Sequence, residues 1–394
     1  MEALVKLRAW AGPRRRGLAA GMTVGAFAVF ALFLLAAPRE LPPPPPTPSF
    51  SPVPTPVAVA TPSPTASPTA SPSAAPTEPA PQTPPPLAGF GRLDGAPADP
   101  LLANRLPLAV MIDNNPRARP QAGFNRASIV YQAPNDGGTD RYMLIFQQHD
   151  AELVGPVRST RLFFNSWAFE YRPGFAHFGG DWKSVTRLEE VDGQMVYDID
   201  ALDGSGRAYW RTDKIRAPYN AYTDTHRLRT EAERLGAPAL MADGLPVRQF
   251  RQDLPARVRP LSGHIHVPYR HGAIDYDYDH TTNSYLRSVA GQPHLDALDG
   301  SRVTARNVIV QFVDVYYDPN QRYNRAVMEF VGEGRAIVFR DGLAFEGTWR
   351  KPKLSGLTRF YDAAGREIRL ARGPIYIQVL SDRLEVDYEV GPLP

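Results

Sequence analysis

Hydrophobic and polar residues follow three different patterns along this chain of 394 residues, and each pattern predicts a different kind of structure. Leu18–Ala37 is a run of 20 residues without a charged side chain. Residues 41–87 have no periodic apolar face, whereas from about residue 100 apolar positions recur at the spacings of strands and helices. The chain is therefore predicted to contain a membrane segment, an unfolded tether and a globular part.

Strand and helix patterns alternate between residues 100 and 245. Short apolar runs bounded by turn-forming residues predict strands over Leu108–Ile112, Ser128–Gln132, Arg141–Gln147 and Phe175–Phe178. Apolar positions three and four residues apart predict helices over Ser159–Tyr171 (capped by Ser159 or Thr160) and Asp181–Val191. A polar helical segment ended by Gly236 predicts a third helix over Asp224–Leu235. Interleaved strands and helices predict an α/β domain with a mixed sheet over residues 100–245.

Residues 255–390 have the alternation that is typical of strands. Val, Ile, Tyr and Phe dominate short runs, which predict strands over His264–Tyr269, Ile274–Tyr278, Val308–Val315, Ala326–Val331, Ala336–Phe339, Ala344–Trp349 and Ile375–Leu380. Gly, Asp or Pro separates the runs, as expected for short connections. We therefore predict a mainly antiparallel β domain after the α/β domain, and an α+β fold class for the globular part.

The apolar run at Leu18–Ala37 is long enough to cross a bilayer, because 20 helical residues span about 30 Å. Arg14–Arg16 come directly before it, while only Arg39 and Glu40 follow. The positive-inside rule then makes residues 1–17 a basic cytoplasmic arm and puts the globular part outside the cytoplasm. A cleaved signal peptide is the alternative, although its apolar core is usually only about 7–15 residues long. Export from the cytoplasm is predicted in both cases, and an uncleaved Leu18–Ala37 makes the cell membrane a predicted partner.

Residues 38–95 form the predicted tether. Of the 41 prolines in the chain, 19 lie between Leu41 and Leu87, mixed with Ser, Thr and Ala. Such a composition buries too little apolar surface to offset the entropy lost on ordering, so the segment is expected to stay unfolded. At ~3.1 Å per residue in a polyproline II conformation, it could reach on the order of 100 Å.

Charge and cysteine content exclude several classes of function. Residues 88–394 carry 38 Lys and Arg and 38 Asp and Glu, so the surplus of positive charge belongs to the N-terminal arm. A nucleic-acid-binding domain usually carries a basic surplus of its own, and we predict no nucleic-acid partner. The absence of cysteine excludes disulfides, thiol nucleophiles, zinc–thiolate sites and a lipid-modified cysteine.

Five motifs follow one another in the globular part: Asp113–Gln121, Gly137–Arg141, Val154–Arg161, Arg211 with Arg216–Tyr222, and Asn307–Gln311 with Gly347–Trp349. In this order they resemble the YerB-like family of bacterial envelope lipoproteins over residues 100–390. The resemblance implies a two-domain extracytoplasmic protein of a family without an established activity. Two departures stand out: the family commonly has a lipid-attachment cysteine, and it usually has Pro-His-Asn where this chain has Pro218-Tyr219-Asn220.

A set of cationic side chains is the main candidate for a ligand site. The predicted ligand-binding residues are Asp113, Asn114, Arg119, Asp140, Arg141, Arg158, Ser159, Arg161, His177 and Asn220. Guanidinium groups pair with carboxylate or phosphate, and a helix N-terminus near Arg158 and Arg161 would add positive potential. The hypothesis is a pocket for an anionic wall or lipid-linked component. The alternative is that the arginines form structural ion pairs with Asp113, Asp140 and other acids.

Enzymatic activity is less well supported by the sequence. Thr139–Ile145 followed by Pro156–Thr160 resembles the strand and arginine loop of LytR-CpsA-Psr phosphotransferases, but Ser159 stands where that family has Asp. The chain has no Gly-x-Ser-x-Gly or Ser-x-x-Lys motif for acyl transfer. We therefore favour a binding protein, possible partners being an anionic component or an envelope protein, and name no catalytic residue.

Histidines are concentrated in one segment, where five of eight lie between His264 and His294. Alternation places His264 and His266 on one face of a strand, and Asp275, Asp277 and Asp279 on one face of the next. No HExxH or comparable metal-ligand spacing occurs. We interpret these residues as solvated strand faces and predict no metal site and no cofactor.

Overall fold

The computed structural model describes residues 89–320 and 324–394. The predicted cytoplasmic arm, the membrane segment at Leu18–Ala37 and residues 38–88 of the tether lie outside the described residues. Within the described ranges, none of the helices combines the length and the apolar character that a bilayer crossing needs.

Four α-helices are present in the described part: α1 (Pro100–Ala103), α2 (Leu162–Phe169), α3 (Trp182–Val191) and α4 (Thr225–Arg234). The predicted helices are thus confirmed, with shorter ends. Asp181 and Asp224 cap α3 and α4 by accepting a backbone N–H of the first turn. The predicted cap of α2 is wrong, because Arg161 takes that position and Thr160 instead donates its hydroxyl to Asn165 Oδ1 at 2.6 Å.

The strands of the described part are β1 (Leu108–Asp113), β2 (Ile129–Pro134), β3 (Asp140–Phe146), β4 (Gly174–His177), β5 (Tyr197–Asp200), β6 (Trp210–Arg211), β7 (Ala221–Tyr222), β8 (Phe250–Arg251), β9 (Gly263–Val267), β10 (Ile274–Asp279), β11 (Ser284–Val289), β12 (Gln292–Pro293), β13 (Thr304–Ala305), β14 (Asn307–Val313), β15 (Val315–Asp318), β16 (Arg325–Met328), β17 (Gly332–Arg340), β18 (Leu343–Lys351), β19 (Arg359–Asp362), β20 (Leu370–Ala371), β21 (Ile375–Ser381) and β22 (Asp387–Val390). All predicted strands occur, and the predicted Val308–Val315 is divided between β14 and β15. Short strands such as β5 and β22 were not predicted.

A ten-stranded mixed sheet forms the centre, in the order β19-β18-β17-β14-β21-β2-β3-β1-β4-β5. Strand β21 pairs in parallel with both β2 and β14, so strands from the two predicted segments share one sheet. The α+β fold class is confirmed, with a mixed sheet among the N-terminal strands and largely antiparallel pairing among the later ones.

Both faces of the central sheet are covered. In β1, Leu108, Val110 and Ile112 face one apolar cluster, and Ala109 and Met111 face the other. The first cluster includes α4 and the inner face of a second sheet, in the order β12-β11-β10-β9-β22 with β13 beside β11. The second cluster includes α2 and α3. Burial on both faces explains why the central strands are nearly continuous apolar runs.

Candidate functional site

The candidate site lies where β1 ends and β3 begins. These strands are antiparallel, and their register places Asp113 opposite Arg141. The backbone N–H of Arg158 donates to the Met111 carbonyl at 2.9 Å, which fixes the segment before α2 against the same end of β1. Sheet register therefore brings together three segments that are far apart in the sequence.

Arg158 forms the ion pair of this site that is most accessible to solvent. Its Nε lies 2.7 Å from Asp113 Oδ2, and 27% of its side chain is exposed. Its guanidinium lies 5.6 Å from the centre of the Tyr219 ring, within the range of a cation–π contact. Arg158 thus connects the end of β1 with the loop that carries Tyr219.

Arg141 is buried, and its guanidinium donates to the Ser159 carbonyl at 2.6 Å. Burial, together with the nearby charges of Arg161 and Arg158, lowers the pKa of Arg141 to about 9, although Asp113 and Asp136 oppose the shift. No carboxylate lies within 4.0 Å of this guanidinium in residues 89–320 and 324–394. Arg141 remains protonated at neutral pH and adds positive potential beneath the site.

Arg161 belongs to a structural ion-pair network. Its Nη2 donates to Asp136 Oδ2 at 2.6 Å, and Asp181 lies 3.8 Å from its Nε. Arg325 pairs with Asp181 at 3.0 Å, and the backbone N–H of Ala326 donates to Asp136. These protein carboxylates lie beside the start of α2, where the sequence suggested an external anion. For Arg161 the geometry agrees with the structural alternative.

Arg119, Asn114 and Asp140 form a separate polar chain. Arg119 donates to Asn114 Oδ1 at 3.0 Å, and the amide of Asn114 donates to Asp140. Gln132 also donates to Asp140, and its Oε1 accepts from the buried Arg287 at 2.7 Å. Burial raises the pKa of Asp140 despite these donors and the charges of Arg119 and Arg287. These hydrogen-bonded side chains connect the site with the interior between the two large sheets.

His177 and Asn220 have internal partners as well. His177 is fully buried, with Nε2 2.7 Å from Asp198 Oδ1 and Nδ1 3.0 Å from the Gly179 carbonyl. Asn220 accepts from Arg211 at 2.7 Å and donates to the Thr212 carbonyl at 2.8 Å. Asn220 therefore closes the hairpin between β6 and β7, whereas both ring nitrogens of His177 are engaged inside the protein.

An open cleft of about 610 Å³ lies between this hairpin and the turn after β1. We call it the basic cleft, and it is lined by Arg117, Lys214, Ile215, Arg216, Ala217, Pro218 and Tyr219. Within the residues that the structure describes, the three cationic side chains of the cleft have no carboxylate within 4.0 Å. None of these three cations was among the predicted ligand-binding residues. Arg117 and Arg216 lie within the motifs that resemble the family, but those motifs did not distinguish them from the neighbouring arginines.

Comparison with known proteins gives consistent results. The profile described as "Protein of unknown function (DUF3048) N-terminal domain" matches residues 93–238, and the corresponding C-terminal domain matches residues 265–377. YerB of Bacillus subtilis (strain 168), named as a candidate lipoprotein, is 28% identical over 265 residues, which cover 66% of this chain and 77% of YerB. The crystal structure of YerB superposes with a TM-score of 0.68 at 25% identity, covering 76% of this chain and 99% of the other. The family resemblance of the motifs is confirmed.

Proposed function

This chain belongs to the family defined by the DUF3048 N- and C-terminal domains, and its relative YerB is named as a candidate lipoprotein. We propose that the chain is a membrane-associated extracytoplasmic protein that binds an anionic envelope component in the basic cleft. The name of the relative supports the membrane association. The single-pass anchor at Leu18–Ala37 is part of this proposal and rests on the sequence pattern. The ligand class rests on the cleft.

One observation carries the proposed ligand class: Arg117, Lys214 and Arg216 line one cleft and have no ion-pair partner within 4.0 Å among residues 89–320 and 324–394. Asp213 is the acidic neighbour in the same loop, and it forms no such pair in these ranges. Because these cations are not paired with a carboxylate inside the protein, their N–H groups can donate hydrogen bonds to water or to a ligand. A bound anion would therefore meet several charge-assisted donors at once.

The surroundings of the cleft increase its attraction for anions. The guanidinium of Arg158 lies 5.6 Å from the centre of the Tyr219 ring, and the buried Arg141 has no carboxylate within 4.0 Å among the described residues. A cleft of about 610 Å³ is within the usual range of roughly 300–1,000 Å³ for small-ligand sites. Arginine pairs bidentately with phosphate, and Tyr219, which lines the cleft, adds aromatic surface that could contact an attached sugar or lipid. These features favour a phosphorylated headgroup over an extended peptide.

The proposal is tested by titrating the full-length chain in detergent with geranyl pyrophosphate and, separately, with inorganic pyrophosphate. Binding of both probes would identify the headgroup as the recognised part, and binding of the prenyl compound alone would assign the affinity to the lipid and contradict the basic cleft. Lys214→Gln/Arg216→Gln should weaken binding at least about tenfold, since each charged hydrogen bond contributes about 1.5–3 kcal/mol.

The matched control is Arg257→Gln/Lys353→Gln, which removes two exposed cations away from the cleft and should leave the affinity unchanged. Equal affinity of the cleft variant and the wild type would refute the proposed site. Turnover of geranyl pyrophosphate that requires a divalent ion would instead favour the phosphotransferase alternative.

A further inference from the structure

The outer face of the second sheet carries a separate group of side chains, remote in sequence from the basic cleft. Strand β9 lies between β10 and β22, and its alternation points Ile265 and Val267 inward and His264 and His266 outward. In β10, Asp275 is paired with His266 and Asp277 with His264. The sequence pattern predicted that the two histidines share one strand face and that the acids share a face of another strand, and the register of β9 with β10 shows which acid lies opposite which imidazole.

Three ligand atoms converge on this face. One atom each from His264, His266 and Asp275 lie within 4.8 Å of one another. Asp275 Oδ1 lies 2.7 Å from His266 Nδ1 and 3.7 Å from His264 Nε2. Zinc bonds of about 2.0–2.2 Å in a tetrahedral site place neighbouring ligand atoms roughly 3.3 Å apart. Small side-chain rotations would bring the three atoms to that spacing, with no change in the strands.

A second carboxylate orients one of these imidazoles. Asp277 Oδ1 lies 2.8 Å from His264 Nδ1, so a neutral ring carries its hydrogen on Nδ1 and donates a hydrogen bond to this carboxylate. The lone pair is then on Nε2, the nitrogen that faces Asp275. A carboxylate that fixes the tautomer of a histidine ligand is a common feature of zinc sites. Asp277 is not one of the three clustered residues, so its contact with His264 supports a metal site independently of their spacing.

The neighbouring strand adds negative charge on the other side. Asp387 is paired with His266 and Glu389 with His264 across the β9–β22 ladder, so both acids face the histidines. Paired residues on one face have Cβ atoms about 4.5–5.5 Å apart. The two imidazoles therefore lie between acidic side chains on both flanks, which favours a cation there. The histidines are 45% and 39% exposed, so an ion can reach them from solvent.

We propose that His264, His266 and Asp275 bind a divalent transition metal ion such as Zn²⁺, with Asp277 as the residue that orients His264. Two imidazoles with a carboxylate suit zinc, whereas Mg²⁺ and Ca²⁺ prefer sites made only of oxygen ligands. Three protein ligands leave at least one coordination position for water or another group. The site does not depend on the anionic ligand proposed for the basic cleft. It departs from the sequence analysis, which predicted no metal.

The full-length chain, carrying no histidine tag, is treated with a chelator, dialysed and titrated with Zn²⁺ by calorimetry. We expect one equivalent to bind, with a loss of at least about 100-fold in His264→Ala/His266→Ala. Asp275→Asn should also bind weakly, and Asp277→Asn should lose about tenfold because it only orients His264. His226→Ala, an exposed histidine on α4, is the control that should bind as the wild type does.

Circular dichroism of the metal-free variants shows whether they remain folded, which keeps a loss of binding interpretable. A zinc affinity that is unchanged in His264→Ala/His266→Ala, or absent in the wild type, would overturn the site. Equally tight binding of Mg²⁺ would also contradict it, because the histidines would then contribute nothing. Co²⁺ substitution provides a second readout, since coordination by these residues should produce a visible absorption band that the double variant lacks.

Discussion

Charged side chains occupy two very different regions of this molecule. In the interior, Glu170 and Lys351 are both fully buried and their charged groups lie 2.8 Å apart. Arg248 lies 3.5 Å from the same carboxylate, and Thr358 donates to it through its backbone N–H and its hydroxyl. At the surface, Arg117, Lys214 and Arg216 line the basic cleft without an ion pair in the described ranges.

The difference follows from the cost of removing a charge from water. A buried ion is costly unless opposite charges and hydrogen bonds compensate for the lost hydration, and the partners of Glu170 provide both. An exposed cation keeps its hydration and needs no partner. The buried cluster therefore indicates a structural role, in which Glu170, directly after α2, is held against Lys351 at the end of β18. Under the proposed function, the exposed cleft cations would instead contact an anionic ligand.

The largest effect is expected from breaking the buried pair. Lys351→Met leaves Glu170 with one cationic neighbour and should lower the free energy of unfolding by about 3–5 kcal/mol. Urea denaturation followed by circular dichroism measures this. Arg350→Met, on the adjacent exposed position of β18, should change the value by less than about 0.5 kcal/mol. Similar losses in both variants would contradict the structural role of the cluster.

A substitution in the basic cleft is expected to lower the affinity for the ligand while the free energy of unfolding stays almost unchanged. Arg117→Gln should leave the free energy of unfolding within about 0.5 kcal/mol of the wild type, because it removes an exposed side chain. The same substitution should weaken pyrophosphate binding about tenfold, through one lost charged contact. The two measurements are made on one preparation. A variant that is destabilised but binds pyrophosphate as tightly as the wild type would show that Arg117 has a structural role and does not bind the ligand.

His177 sharpens the comparison because it is buried and titratable. Burial alone would lower the pKa of His177, but the hydrogen bond to Asp198 and the charges of Asp198 and Asp200 raise it above the ordinary value. The protonated form then stabilises the fold below the unfolded pKa, and this contribution is lost as the pH rises through the folded pKa. His177→Gln should therefore be most destabilising near pH 5 and less so near pH 9, as denaturant titrations at each pH measure. A stability difference between the variant and the wild type that is independent of pH would show that protonation of His177 does not stabilise the fold.

The smallest effect is expected from a substitution of Asp113, a buried acid that pairs with the partly exposed Arg158. Asp113→Asn removes the carboxylate that lies 2.7 Å from Arg158, and an amide can keep the bond from the Asn115 backbone N–H. Positive potential near Tyr219 rises, so we expect pyrophosphate affinity to increase about two- to threefold, a Coulombic gain in high dielectric. Calorimetry at low salt detects this, and weaker binding would show that Asp113 contributes to the site.

The elements themselves follow from local patterns, and the sequence predicted them well. Capping by Asp181 and Asp224 and the apolar runs of β1, β3 and β21 depend on neighbours in the chain. Short exposed strands were missed, as β22 shows, because Asp387–Val390 has no buried face and is a strand through its backbone pairing with β9. The motifs also predicted the family, since they preserve an order along the chain.

Side-chain partners were decided by the tertiary structure. Arg158 and Arg161 are three residues apart, yet one pairs with Asp113 at the end of β1 and the other with Asp136. Likewise, strand alternation could place His264 and His266 on one face, but only the register with β10 and β22 surrounds them with acids. Electrostatic contacts act over a few ångströms in space, and the distances that matter are set when distant strands pair. The sequence determines which charges exist and on which face they lie, and the pairing of strands determines which of them meet.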